Sequence, residues 1–144
     1  MNTLSREKDL TTVKFIAYVL KGEPIPLARP RFGHNHTYDS QKRVKAMIGL
    51  QLNSYHRGRP PLTGPLQLDV TYFMKTPKAK PKLNNQHHAV RPDLDNLIKM
   101  TLDTCQDCNC FLDDAQICVI HAQKIYSQEP RTELTLTQIG ATNG

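Results

Sequence analysis

The 144-residue chain has no run of about 18 apolar residues, the length a helix needs to cross a bilayer. Its first eight residues, Met1-Asn-Thr-Leu-Ser-Arg-Glu-Lys8, contain no apolar signal core. A soluble, cytoplasmic protein with no membrane contact is the expectation. Cysteine is scarce and poorly spread for cross-linking: Cys105, Cys108, Cys110 and Cys118 are the only four and all fall within fourteen residues. That excludes a disulfide-built scaffold, and the thiols are expected to be reduced. No internal repeat and no low-complexity tract is present, so a repeat architecture is excluded as well. What is left is one domain with a core, over residues 13–139, with a flexible arm at 1–12 and a tail at 140–144.

Acidic residues are scarce in the first two thirds. Residues 1–92 carry 16 Lys and Arg against 5 Asp and Glu, whereas residues 93–144 carry 3 against 8, for a net charge of +6. If the fold unites the two parts, an acidic pocket sits inside a positive surface, as an enzyme acting on a polyanion requires. A solvated basic surface that only aids solubility is the plainer reading of the same composition.

The apolar periodicity predicts four strands and two main helices. Val13–Leu20 is β-branched and aromatic and stops at Lys21-Gly-Glu-Pro24, which reads as a strand entering a turn. Pro24, Pro26 and Pro30 then forbid a helix and hold the chain extended, projecting Arg29 and Arg31. A helix capped by Asp39 or Ser40 follows, with Val44, Met47, Ile48, Leu52 and Tyr55 as its core stripe. Leu66, Leu68, Val70, Tyr72 and Met74 alternate with Gln67, Asp69, Thr71 and Phe73 in a strand with one buried face. Residues 75–92 form the longest irregular stretch, with Lys75, Lys78, Lys80, Lys82 and Arg91 among prolines, and read as a flexible strap for nucleic acid or a solvated loop. A helix is expected from about Asp93 to near Gln106, then a buried strand over Gln116–Ile125 and a last strand over Thr132–Ile139.

The chemistry concentrates after residue 90. Asp93 and Asp95 can converge only if Asp93 still lies outside the helix, as its cap or in the preceding loop, with Asp95 in the first turn and Lys99 one turn further on. Asp113 and Asp114 follow, so three or four carboxylates are expected at one place. Two negative charges about 4 Å apart repel by roughly 4 kcal/mol at an effective dielectric of 20, and a divalent cation would offset this. Hard oxygen donors without a His and Cys ligand set favour Mg2+, with Mn2+ able to substitute, and imply a phosphate-bearing substrate. No organic cofactor is expected. Taken singly, each residue has a plainer reading: Asp93 as a cap, Asp95 and Lys99 as a surface pair, Asp113 and Asp114 as a solvated turn.

Three rival patterns are weaker. Cys105, Cys108, Cys110 and Cys118, with His121 beyond them, could form a small zinc site but lack paired-knuckle spacing. His34-Asn35-His36 has the letters of one nuclease motif without the rest of it, and Pro92-Asp93 opens another whose second half is missing.

Arg91-Pro-Asp-Leu-Asp-Asn-Leu-Ile-Lys99 followed by Phe111-Leu-Asp-Asp-Ala-Gln116 resembles the RusA family of Holliday-junction resolvases. Gly22-Glu-Pro-Ile-Pro-Leu-Ala-Arg-Pro-Arg-Phe32 and Tyr38 resemble that family's first strand and arginine segment, so the similarity spans roughly residues 13–137. The resemblance implies a small homodimer of α/β (α+β) class, built on a mixed sheet of about four to five strands with two main helices, that binds branched, four-way DNA junctions and nicks two strands symmetrically with Mg2+. By motif position it implies Asp93, Asp95 and Asp114 as catalytic carboxylates and metal ligands, Asp113 as a neighbour, and Lys99 as the catalytic lysine. The cysteine cluster departs from the family pattern. From the residues alone, a non-catalytic nucleic-acid-binding module, with or without zinc, stays open beside the nuclease.

Overall fold

A computed structural model of the chain describes residues 14–28 and 39–140. The element order is β1 (Phe15–Lys21), α1 (Asp39–His56), β2 (Leu66–Lys75), α2 (Leu94–Asp107), β3 (Ile117–Ser127) and β4 (Arg131–Gln138). Four strands form one mixed sheet in the order β1-β4-β2-β3, with β1/β4 and β4/β2 antiparallel and β2/β3 parallel. The parallel pair requires a crossover, and α2 supplies it. The expected arm at 1–12, the tail beyond 140, Arg29, Arg31 and His34-Asn35-His36 lie outside the described residues, as do the side chains of Asp39 and Ser40 expected to cap α1.

Strict alternation in β2 puts Leu66, Leu68, Val70, Tyr72 and Met74 on the helix-bearing face, where all are buried. Tyr18, Leu134 and Leu136 from β1 and β4 join them, with Leu97 and Cys105 of α2 and Leu52 of α1 packed on top. Burying side chains of this size contributes about 1.5–3 kcal/mol each. Two polar contacts fix the helices in register. The Tyr72 hydroxyl shares a 2.7 Å hydrogen bond with Thr101 of α2, and Tyr18 shares one of 3.1 Å with Nδ1 of His56 in α1.

Three expectations need correction. The α1 stripe buries Leu52 fully and Val44 and Ile48 in part, but Met47 is 61% and Tyr55 40% exposed. Steps of four from Val44 reach 48, 52 and 56, so the core takes His56 instead of Tyr55. Second, β3 is not a buried strand: it is a sheet edge, and most of its side chains are exposed or half-exposed. Third, residues 75–92 are not a free strap. Asn85 N–H donates to Tyr126 O, Tyr126 N–H to Gln86 O and His88 N–H to Lys124 O, at 2.9–3.0 Å, so the segment adds itself to the β3 edge. Covering an edge in this way removes a template for unwanted strand pairing.

Candidate active site

α2 begins where the expected geometry requires. Asp93 has extended backbone angles (φ −70°, ψ 141°) and occupies the N-cap position, and Asp95 lies in the first turn. An N-cap aspartate ordinarily accepts a backbone N–H, yet the Asp93 carboxylate makes no capping bond. Both carboxylates are exposed, and among the described residues neither meets a hydrogen-bond donor or a cation. They sit against the positive end of the helix dipole, which offsets part of their repulsion. Lys99, exposed, follows one turn along α2, and its ammonium has no acidic partner among the described residues.

The surroundings are basic. The α2 start lies at the end of the sheet where both parallel strands finish, the end at which open α/β sheets ordinarily bind ligands. The loop from β2 carries Lys78, Lys80, Lys82 and Arg91 around this end, all exposed. Lys75 belongs to the same rim, and its ammonium reaches Gln128 O at 3.4 Å. Pro24–Ala28, the approach to Arg29 and Arg31, is tied to the same place. Leu27 N–H donates to Asn96 O in the first turn of α2 (3.0 Å), and Gln41 of α1 both accepts from Ala28 N–H (2.8 Å) and donates to Pro26 O (2.9 Å). No motif in the sequence singles out Gln41, and Asn96, although inside the Arg91–Lys99 motif, makes its tie through the main chain.

Asp113 and Asp114 are elsewhere in the chain. The Asp114 N–H donates to Oε1 of Gln106, near the last turn of α2, at 2.8 Å. Thirteen residues of helical rise separate Asp93 from Gln106, about 20 Å. Within one chain the structure therefore brings Asp93 and Asp95 together and leaves Asp113 and Asp114 at the opposite helix end. No group of three or more His, Cys, Asp or Glu side chains suited to a metal occurs among the described residues. The Asp113 carboxylate accepts from Ala115 N–H at 2.9 Å, in a capping box completed by Gln116. Gln116 accepts from Leu112 and Asp113 N–H and donates to Leu62 O and Gly64 O, which holds the turn to the body of the protein. The Asp114 side chain is exposed.

The cysteines do not assemble into the zinc site that their spacing allowed. Cys105 and Cys110 are buried, Cys108 is half-buried and Cys118 exposed, all as free thiols. His121 is on the opposite sheet face, its Nδ1 3.1 Å from Asp69 Oδ1. The Cys105 thiol is pushed up by its hydrogen bond to Cys110 and by burial. His88 is buried against Tyr126, ring centroids 4.6 Å apart. Desolvation, assisted by the nearby Lys124 charge, lowers its pKa.

The comparisons with known proteins give this small mixed sheet, with two exposed carboxylates at a helix start, a family. The family model described as "Endodeoxyribonuclease RusA" matches residues 21–137, and the chain belongs to that family of nucleases. Two relatives are similar to it. "Uncharacterized protein YqaN" of Bacillus subtilis (strain 168) is 30% identical over 144 residues, covering 90% of this chain and 98% of the relative. "Crossover junction endodeoxyribonuclease rusA" of Lactococcus phage r1t is 35% identical over 75 residues, 52% of this chain and 56% of the relative.

Proposed function

We propose that this chain is a magnesium-dependent, structure-selective endodeoxyribonuclease that resolves four-way DNA junctions by paired, symmetric nicks, acting as a homodimer in the cytoplasm during recombination or repair. The observation that carries the reading is the pair Asp93 and Asp95, exposed at the head of α2 and unengaged among the described residues, in a chain of an endodeoxyribonuclease family. The phage relative's name, a crossover junction enzyme, supports the choice of substrate.

The donor set fits the metal. Magnesium takes one or two carboxylates and fills its remaining positions with water and phosphate oxygens, and the head of α2 offers two hard oxygen donors that no third His, Cys, Asp or Glu joins in a metal-sized group among the described residues. When bound there, the ion polarises a phosphoryl oxygen and lowers the pKa of a water. The chain's own residues do the rest. Lys99 offers an ammonium to the phosphate or the departing oxygen, where charge develops. Lys75, Lys78, Lys80, Lys82 and Arg91, with Arg29 and Arg31 beyond the Leu27–Asn96 tie, hold the strands across the site by their phosphates.

The remote Asp114 supports the dimer. A second copy whose α2 runs antiparallel to the first about a two-fold axis would set the partner's Asp114 beside the first chain's Asp93 and Asp95, and the reverse at the other end. Two such sites match the two-fold symmetry of a four-way junction. A synthetic junction tests the whole reading. Paired nicks that require Mg2+ are the expected result, and a gel shift with every strand intact would leave a DNA-binding module.

A further inference from the structure

Lys124 turns its charge on main chain. It lies on β3 in register with Tyr72, which places it on the helix-bearing face of the sheet. Its ammonium donates to Val90 O at 2.7 Å and to Pro92 O at 2.6 Å. Its own carbonyl accepts from His88 N–H at 3.0 Å. One residue thus grips the chain at positions 88, 90 and 92, immediately before Asp93. No carboxylate pairs with it among the described residues. A half-buried ammonium without an acidic partner is a costly way to tie down a surface loop, and short charge-assisted bonds fix direction as well as distance.

The placement matters because Asp93 has no other anchor for its carboxylate. The peptide between Pro92 and Asp93 is held through the Pro92 carbonyl on one side, and on the other the Asp93 carbonyl accepts the first helical bond, from Leu97 N–H at 3.2 Å. We propose that Lys124 is a positioning residue of the nuclease site: by clasping the Val90 and Pro92 carbonyls it sets the peptide that carries Asp93 and places that carboxylate against Asp95. The proposal rests on reading Asp93 and Asp95 as the metal-binding pair. Two bonds to carbonyls and a half-buried position separate Lys124 from the exposed lysines of the basic rim, which serve phosphate contact.

The test uses the full chain with Lys124→Met, which keeps the stem and removes the donors, and Lys124→Arg, which keeps donors. A catalytic group displaced by about 1 Å loses on the order of 10²-fold in rate, so Lys124→Met should lower the junction-nicking rate at saturating Mg2+ and junction by roughly 10- to 100-fold. Junction affinity in EDTA should stay within about twofold, because no phosphate contact has been removed. Exchange of the Leu97 amide should quicken by about tenfold while the Asn85 and Tyr126 amides keep their rates, a local loosening and not a general one. Lys124→Arg should recover nicking to within about fivefold and restore Leu97 protection. Wild-type nicking by a folded Lys124→Met protein overturns the proposal, and so does weakened junction binding at an unchanged saturated rate. Should Lys124→Met fail to fold, Lys124→Arg decides: exchange at Leu97 and nicking must be kept or lost together, and either changing alone overturns the proposal. Asp95→Asn nicking at the wild-type rate would instead remove the site reading, a separate outcome from any of these.

Discussion

Replacing Asp95 with Asn keeps the side chain's size and removes one of the two charges at the head of α2. The fold should hardly register the change. The carboxylate is exposed and meets no donor among the described residues, so its structural worth is its interaction with the helix dipole, about 0.3–1 kcal/mol. In a chain of this length that is a fall of only a few degrees, on the order of 2–4 °C per kcal/mol, in Tm. Catalysis should register it strongly, because removing one group that stabilises transition-state charge costs about 10²- to 10³-fold in rate. Asp103→Asn is the matched control. Asp103 sits in the same helix and pairs with Lys45 of α1 at 2.7 Å, and a partly exposed pair of this kind contributes about 0.2–1 kcal/mol. The two variants thus lose similar stability, while only one should lose activity. Single-turnover nicking of an end-labelled four-way junction in Mg2+, with binding measured separately in EDTA, reads the difference. Binding by Asp95→Asn should persist or tighten, since the pocket without metal repels phosphate less. A folded Asp95→Asn protein that cuts at the wild-type rate would refute the assignment.

Three further outcomes are expected. If the metal site is completed across a two-fold axis, mixing inactive Asp95→Asn with inactive Asp114→Asn should restore single nicking, because each hybrid dimer holds one site with every carboxylate intact; a mixture as inactive as its parents would place each site within one chain. Changing Lys78, Lys80 and Lys82 together to Gln should flatten the log–log salt dependence of junction binding by up to about 2.7, three times the roughly 0.9 per phosphate contact, and an unchanged slope would take the loop off the DNA. His88, whose folded pKa is lowered by burial and by Lys124, stays neutral in the folded chain while the unfolded chain takes up a proton below about pH 6.5, so stability should fall as pH drops from there towards the folded value. The thermal melt of wild type minus that of His88→Phe should decline over that window, and a flat difference would show that His88 does not titrate on unfolding.

Most of the elements were legible because their signals are local. β2 alternates from Leu66 to Thr71, and Pro92 before an apolar face of spacing three and four marks the start of α2, so it follows from helical geometry that Asp93 lies outside the helix and Asp95 in its first turn. The ties that hold the site were not legible. Gln41 to Ala28, Leu27 to Asn96 and Lys124 to Pro92 join residues 13 to 69 positions apart, and a glutamine or lysine has no pattern that distinguishes a buried anchor from a solvated side chain. The exposed side of α1 misled for a related reason: Met47 and Leu50 are apolar and uncovered, so composition there does not report burial.

The separation of Asp114 from Asp93 was the largest surprise, and it follows from one topological fact. β2 and β3 are parallel, so the chain leaves β2 at one end of the sheet and must come back to the other end before β3 can begin. The connecting helix makes that return. Whatever stands at its start is therefore about a helix length from whatever precedes the next strand, here about 20 Å for fourteen residues. Counting residues cannot reveal this, since an antiparallel return of equal length would have closed the gap. A strand read as parallel forces the carboxylates apart within a chain, and a site needing both must draw one of them from a second copy.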